Sequence, residues 1–188
     1  MSEKITPLKR PGLVLGLLTV GVATVVGYFV FSDWAQRRAA AERGEVSAAL
    51  ERQRPGFGLP DMDGVVHHID EWDGKVIALN FWATWCRPCL REIPMLNGLQ
   101  ARYGEQGLQV IGVALDDREA VSAFIRNTPI DYAIMIGEDD AVDVARAYGN
   151  DAGVLPYTAI IDRDGRIAAV EFGELHEREA ITLIQPLL

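Results

Sequence analysis

The chain has 188 residues, of which 49% are hydrophobic, and a formal net charge of −9. This length suits one globular domain with an additional segment, and the acidic balance without a long basic run excludes nucleic acid as an expected partner. The two cysteines lie three positions apart, which excludes a fold held together by disulfides between distant segments.

The first predicted element is a membrane anchor at residues 13–31, LVLGLLTVGVATVVGYFVF, which contains no charged residue. A helix over this range would span roughly 28 Å, close to the about 30 Å of a hydrocarbon core. The alternative is a cleaved signal peptide, whose apolar region is normally about 7–15 residues long and is followed closely by a small-residue cleavage site. The residues that follow the apolar stretch, SDWAQRR, are a poor cleavage site, so we predict that the anchor is retained.

The predicted topology is a short cytoplasmic leader at residues 1–12, a single span in the inner membrane and a larger domain facing the periplasm. Basic residues flank the apolar stretch on both sides, so this orientation rests on the usual arrangement of a short leader. Residues 32–54 are rich in Ala, Arg and Glu and predict a helical spacer that ends before Pro55. Residues 55–188 form the predicted domain.

Strand and helix patterns alternate along this domain. Asp63 and Gly64 separate two short apolar segments and predict the tight turn of an N-terminal β-hairpin. Continuous apolar runs bounded by turn residues predict buried strands, and the stretches between them predict helices. The predicted strands cover residues 75–83, 108–115, 132–137, 157–162 and 166–173, and the predicted helices cover residues 87–103, 119–127, 141–148 and 177–188. This order predicts an α/β fold with a mixed central sheet and helices on both faces.

Both cysteines fall where the first long strand gives way to a helix, the usual position for chemistry in such sheets. Cys86 would begin the helix and Cys89 would lie one turn along it. The first backbone N–H groups of a helix have no internal partners and stabilise an anion, so they favour the nucleophilic thiolate of Cys86. Arg87 adds a second positive charge, and Pro88 suits the first helical turn. The pair can therefore cycle between dithiol and disulfide, exchanging two electrons with cysteines of another protein.

Three other uses of a cysteine pair fit the sequence less well. A structural zinc site needs four ligands, and the only further candidates of this type are His67, His68 and His176. Covalent haem attachment needs a histidine directly after the second cysteine, where this chain has Leu90. A purely structural disulfide would close too short a loop to stabilise the fold much. We therefore predict redox exchange without a metal or a cofactor.

The stretch NFWATWCRPCLREIP, with GVLPYTAIID downstream, resembles the thioredoxin superfamily and more narrowly the membrane-anchored TlpA/ResA-like thiol–disulfide oxidoreductases, to which the cytochrome c maturation proteins also belong. The resemblance covers residues 57–188. It implies a thioredoxin-like fold that carries an N-terminal β-hairpin and an extra strand and helix between residues 115 and 148.

The resemblance also implies roles for individual residues. Cys86 would be the exposed attacking thiol and Cys89 the thiol that resolves the mixed disulfide. Pro156 would follow a cis peptide bond, and Trp85 would act as a lid over the site and as part of the docking surface. The implied substrate groove comprises Trp85, Arg87, Pro88, Leu155 and Pro156.

Two positions distinguish this chain from ordinary thioredoxins. The resemblance implies that Asn80 replaces a buried aspartate that relays protons in thioredoxins, and that Glu92 takes its place, as in many TlpA-like relatives. Three positions are nearly one helical turn, so Glu92 should share a face with Cys89. We predict that Glu92 exchanges a proton with Cys89. The alternative is a solvated glutamate near Arg91.

The predicted function is that of a membrane-tethered reductase of protein disulfides, with apocytochromes c or copper-site assembly factors as clients. In an oxidising compartment such a reductase needs electrons from a membrane protein. The alternative is a binding module that hands on a metal or a client, but the four methionines do not cluster as a copper chaperone would require. Peroxide reduction would use a lone attacking cysteine, so the paired arrangement disfavours it.

Overall fold

The computed structural model describes residues 52–188 together with Tyr28, Phe31 and Ser32, whose backbone is helical. The predicted leader, nearly all of the predicted anchor and most of the predicted spacer lie outside the described residues. In the part of the chain that is described, no helix combines the length and the apolar character that a membrane span requires.

A mixed five-stranded sheet forms the centre of the domain, with the strand order β5-β4-β3-β6-β7. Strands β3, β4 and β5 run parallel, whereas β6 and β7 are antiparallel to their neighbours. A separate hairpin, β1–β2, precedes the sheet. The strands are β1 (Gly58–Pro60), β2 (Val66–His68), β3 (Val76–Trp82), β4 (Leu108–Ala114), β5 (Ala133–Ile136), β6 (Tyr157–Ile161) and β7 (Ile167–Phe172), and the helices are α1 (Arg87–Tyr103), α2 (Arg118–Ile125), α3 (Asp139–Ala147) and α4 (Glu177–Ile184). The α/β, thioredoxin-like fold with helices on both faces is confirmed.

The central strand β3 is buried along its whole length because helices cover both faces of the sheet. Ile77, Leu79 and Phe81 point to the face covered by α3. Val76 and Ala78 point to the opposite face, which α1 and α4 cover. Burial on both sides explains why this strand appears in the sequence as an unbroken apolar run and does not alternate.

The N-terminal hairpin closes as its turn residues predict. The side chain of Asp61 accepts hydrogen bonds from the backbone N–H groups of Asp63, at 2.8 Å, and Val65, at 2.9 Å. Gly64 supplies the positive φ of +87° that the turn needs. Leu59 of β1 is buried in the core beside Ile69, so the hairpin is part of the domain.

Two predicted boundaries are wrong. The predicted spacer helix does not reach residue 54, because Gln53 pairs with Arg166 in an antiparallel bridge and the Arg54 N–H donates to the carbonyl of Gly165 at 2.8 Å. Residues 52–54 are thus extended chain that forms backbone hydrogen bonds with the edge of the β6–β7 hairpin. The last helix ends at Ile184 and continues only as a 3-10 turn over Gln185–Leu187.

Candidate active site

The two cysteines form a disulfide at the start of α1. The Cα atoms of Cys86 and Cys89 are 5.3 Å apart and their sulfur atoms are bonded. Cys86 occupies the N-cap of α1, and its sulfur accepts a hydrogen bond from the backbone N–H of Cys89 at 3.3 Å. A sulfur in this position lies at the positive end of the helix, where the thiolate is stabilised once the disulfide is reduced.

Exposure differs between the two cysteines. Cys86 retains 5% of its surface exposed and Cys89 retains 1%. The predicted order is therefore observed, but the description of Cys86 as an exposed thiol is wrong for this oxidised state. The disulfide packs into an apolar cluster with Trp82, Ile93 and Val121, which leaves a reaction partner only a small opening at Cys86.

The residues flanking Cys86 face solvent. Trp85 is 68% exposed, so its indole is accessible to a reaction partner, and its roles as a lid and as part of the docking surface stay predictions. Arg87 is exposed, and its guanidinium forms no hydrogen bond or ion pair with any residue that the structure describes. Pro88 lies in the first turn of α1, as its sequence position predicts.

The second wall of the predicted groove is the segment before β6. The Leu155–Pro156 peptide bond is cis, as the resemblance implies. Leu155 packs against the apolar cluster that contains both cysteines, whereas Pro156 is buried and its carbonyl accepts from the Gly173 N–H at 2.8 Å. Val154, 38% exposed, adds an accessible apolar side chain beside Leu155.

A buried asparagine, which the sequence interpretation missed, fixes this segment. Asn150 is 1% exposed, and both ends of its amide bind the backbone of Val154. Its Nδ2 donates to the Val154 carbonyl at 2.8 Å and its Oδ1 accepts from the Val154 N–H at 2.9 Å. The stretch from Asn150 to Gly153 is rich in turn residues, which indicated a loop but not this contact.

A second missed residue supports the loop before Cys86. One carboxylate oxygen of Asp116 accepts from the Thr84 N–H at 3.0 Å and from the Thr84 hydroxyl at 2.5 Å. Asp116 follows β4 and Thr84 follows β3, and these parallel strands end at the same edge of the sheet. Knowledge of the strand order would have brought the two residues together.

Glu92 is buried, with 2% of its surface exposed, so the solvated alternative is wrong. One carboxylate oxygen accepts a short hydrogen bond from the backbone N–H of Leu175, and the other accepts from the Asn80 Nδ2 at 3.2 Å. Burial raises the pKa of Glu92 to about 7, although both hydrogen bonds act in the opposite direction. A carboxyl group with this pKa is able to gain or lose a proton near neutral pH.

Asn80 connects Glu92 to the centre of the sheet. Its Nδ2 also donates to the hydroxyl of Thr158 on the adjacent strand β6, at 2.9 Å. Asn80, Glu92 and Thr158 are all buried, and they form a polar cluster beneath α1, one helical turn beyond Cys89.

The structure describes no group of histidine, cysteine and acidic side chains within residues 52–188 that could hold a metal ion.

A mixed sheet, a disulfide at the N-cap of the helix after its central strand and a cis-proline segment beside that disulfide together define a thioredoxin-like thiol–disulfide oxidoreductase. Comparison with known proteins supports this class. Residues 50–170 match the model of the AhpC/TSA family.

Individual relatives agree. The chain is 34% identical over 182 residues to the thiol-disulfide oxidoreductase ResA of Halalkalibacterium halodurans, covering 95% of this chain and 97% of that protein. It is 30% identical over 155 residues to ResA of Geobacillus thermodenitrificans, covering 82% and 83%. A secreted thiol-disulfide isomerase from Corynebacterium glutamicum superposes with a TM-score of 0.64 at 28% identity, covering 72% of this chain and 84% of that structure. The protein therefore belongs to the AhpC/TSA family and, within it, to the thiol–disulfide oxidoreductases related to ResA.

Proposed function

We propose that the protein is a membrane-anchored reductase that transfers two electrons from the Cys86–Cys89 pair to disulfides of client proteins in the periplasm. The observation that carries the proposal is the placement of Cys86 at the N-cap of α1, with its sulfur in a hydrogen bond to the first helical turn. The clients we propose are apocytochromes c or copper-site assembly proteins, whose cysteines must be reduced before they receive haem or metal.

The proposed exchange has two steps. The Cys86 thiolate attacks a client disulfide, a bond forms between Cys86 and one client sulfur, and the other client sulfur leaves as a thiolate. Cys89 then loses its proton and attacks the Cys86 sulfur, which forms the Cys86–Cys89 disulfide and releases the first client sulfur. The client gains two electrons and, with two protons, becomes a dithiol.

Glu92 is proposed to handle the proton of Cys89. It lies three residues beyond Cys89 on the same helix, and its carboxyl group has a pKa of about 7. Ionised Glu92 would accept the proton when Cys89 becomes the attacking thiolate, and protonated Glu92 would return it when the pair is reduced again. Burial keeps this proton away from bulk water.

The location and the electron supply complete the proposal. Residues 13–31 would anchor the chain in the inner membrane, with the domain in the periplasm. After each turnover the Cys86–Cys89 pair is a disulfide and must be reduced again. We propose that a membrane protein with a reduced dithiol attacks this disulfide, donates two electrons to it and becomes oxidised to a disulfide itself.

A trapping experiment in native membranes tests the proposal. In Cys89→Ser the second step is blocked, so clients should remain bonded to Cys86 and be released by dithiothreitol. Cys86→Ser is the matched control, because it removes the attacking sulfur and should trap nothing. Recovery of apocytochrome c or a copper-site protein from Cys89→Ser alone supports the proposed clients. Failure to trap any protein would contradict the reductase and would favour a module that binds clients without redox turnover.

A further inference from the structure

We infer that Arg87 selects client segments that carry an acidic residue next to the reacting cysteine. The inference rests on the proposed function, because it concerns the client that Cys86 attacks. Its basis is the contrast in exposure around Cys86. The Cys86 residue is nearly buried, whereas its sequence neighbours Trp85 and Arg87 are exposed.

The first step concerns access. Because only 5% of Cys86 is exposed, a client cysteine has to approach the sulfur closely over the residues that border it. Trp85 precedes Cys86 and is 68% exposed, and Val154 on the facing segment is 38% exposed. These side chains offer apolar contact to a client backbone, but neither distinguishes one charged neighbour from another.

The second step concerns charge. Arg87 directly follows Cys86 and is exposed, and within residues 52–188 its guanidinium has no hydrogen-bond or ion-pair partner. Arg91, one turn further along α1, is by contrast held by Glu174 through several hydrogen bonds. The Arg87 charge also gains nothing from its own helix, because it lies in the first turn of α1, where a cation is disfavoured. Beside the reacting sulfur there is therefore an exposed positive charge that no side chain of residues 52–188 neutralises.

The third step concerns reach. Successive Cα atoms are about 3.8 Å apart, so the residues one or two positions from a client cysteine bonded to Cys86 lie within the length of an arginine side chain. A carboxylate there can form a paired hydrogen bond with the planar guanidinium, whereas a lysine there would be repelled. The net charge of −9 does not cancel this contact, because charges beyond the Debye length of about 8 Å are screened at physiological salt.

Charge-swapped peptides test the inference. The probes are two short peptides of identical sequence except for Glu or Lys next to a single cysteine, which is activated as a disulfide with thiopyridine. Reduced full-length protein attacks the peptide sulfur, thiopyridone leaves, and its absorbance gives the rate. Dividing by the rate with dithiothreitol removes the intrinsic reactivity of each peptide.

For the wild-type protein the normalised rate should be about threefold higher with the Glu peptide than with the Lys peptide, within the range of an exposed ion pair. The ratio should approach about one in Arg87→Gln and fall below one in Arg87→Glu. Arg178→Glu is the matched control, because Arg178 is also exposed and unpaired among the described residues in the first turn of a helix, and its ratio should equal that of wild type.

The ratio separates client selection from thiolate activation. Loss of the Arg87 charge should also make the Cys86 thiolate less stable, but this effect slows the reaction with both peptides alike and does not by itself change their ratio. A wild-type ratio near one, or an unaltered ratio in Arg87→Gln, overturns the inference while leaving the reductase intact. No reaction with either peptide overturns the proposed function and the inference together.

Discussion

The side-chain amide of Asn80 lies 3.2 Å from the carboxylate of Glu92 and thereby joins the central strand of the sheet to the helix that carries both cysteines. This contact fixes a buried carboxyl group whose pKa of about 7 falls in the range where proteins exchange thiol protons. The backbone N–H of Leu175, in the segment before α4, donates a hydrogen bond to the other carboxylate oxygen of Glu92.

Replacing Glu92 by Gln should remove a proton acceptor and slow the second step of exchange. We expect the release of a peptide from its mixed disulfide with Cys86 to fall by about a hundredfold, the low end for a general acid–base group, and to lose its inflection near pH 7. Stopped-flow measurement of peptide release against pH checks this. Glu105→Gln is the control, because Glu105 is exposed. An unchanged pH profile in Glu92→Gln would refute the proton transfer.

The raised pKa of Glu92 also predicts how stability varies with pH. Its ordinary pKa is 4.5 and its folded pKa is about 7, so the folded state prefers the protonated form. The associated stability is fully present below pH 4.5 and is lost as the pH rises through 7. Relative to Glu92→Gln, the wild-type free energy of unfolding should therefore fall by up to roughly 3 kcal/mol between these limits. Urea denaturation of the two proteins at several pH values measures the difference, and parallel curves would contradict it.

Asn80→Ala should raise the pKa of Glu92 further. Burial is the main cause of the elevated pKa, and the hydrogen bond from Asn80 opposes it by stabilising the carboxylate. Its loss should move the inflection of the exchange rate above pH 7. Asn97→Ala is a suitable control, because Asn97 also lies in α1 but its amide binds the backbone of Pro129 and Asp131. An inflection that stays in place or moves down would show that Asn80 does not tune this group.

Asp116 should control the loop that presents Cys86. Asp116→Ala removes the acceptor of two Thr84 hydrogen bonds, and we expect a loss of about 1–3 kcal/mol in the free energy of unfolding together with slower attack by Cys86. Asp116→Asn retains an oxygen acceptor and should recover most of both. Urea denaturation and peptide-disulfide kinetics provide the two measurements. Equal behaviour of the Ala and Asn variants would mean that the hydrogen bonds to Thr84 are unimportant.

The N-terminal hairpin should lose stability as the pH rises. The ring of His67 lies between Glu71, at 2.8 Å, and Asp61, at 3.2 Å, and hydrogen bonding to these carboxylates raises its pKa above the ordinary 6.5. The stabilisation is present below pH 6.5 and disappears as the pH passes the raised value. Wild type should therefore exceed His67→Gln in melting temperature at about pH 5.5, and the gap should narrow at about pH 8.5. A gap that widens instead would contradict this pairing.

The sequence contains enough information for the fold and the reacting pair because both depend on local patterns. The apolar run of β3, the turn at Gly64 and the spacing of Cys86 and Cys89 each involve neighbouring residues, and the structure confirms them. The cis peptide bond before Pro156 could be predicted only through the resemblance, since nothing in the local sequence requires it.

The surroundings of the site depend on contacts between distant residues and could not be predicted in the same way. The helical spacing places Glu92 one turn beyond Cys89, but its burial depends on Leu175, which is 83 positions away. The exposure of Trp85 has the same origin, because it depends on whether a distant element packs over it, and none within residues 52–188 buries it. Asp116 was within reach of prediction, since the parallel pairing of β3 and β4 brings their ends together.

The bridge between Gln53 and Arg166 has a practical consequence for recombinant work. Residues 52–54 belong to the folded unit, since Arg54 also donates to Asp73 at 2.5 Å and Ile167 donates its N–H to the Arg52 carbonyl at 3.0 Å. A soluble fragment that starts at Pro55 would leave the start of β7 without its backbone partners, and such an unpaired strand edge promotes self-association. Expression plasmids for the kinetic work should therefore encode chain from well ahead of residue 52.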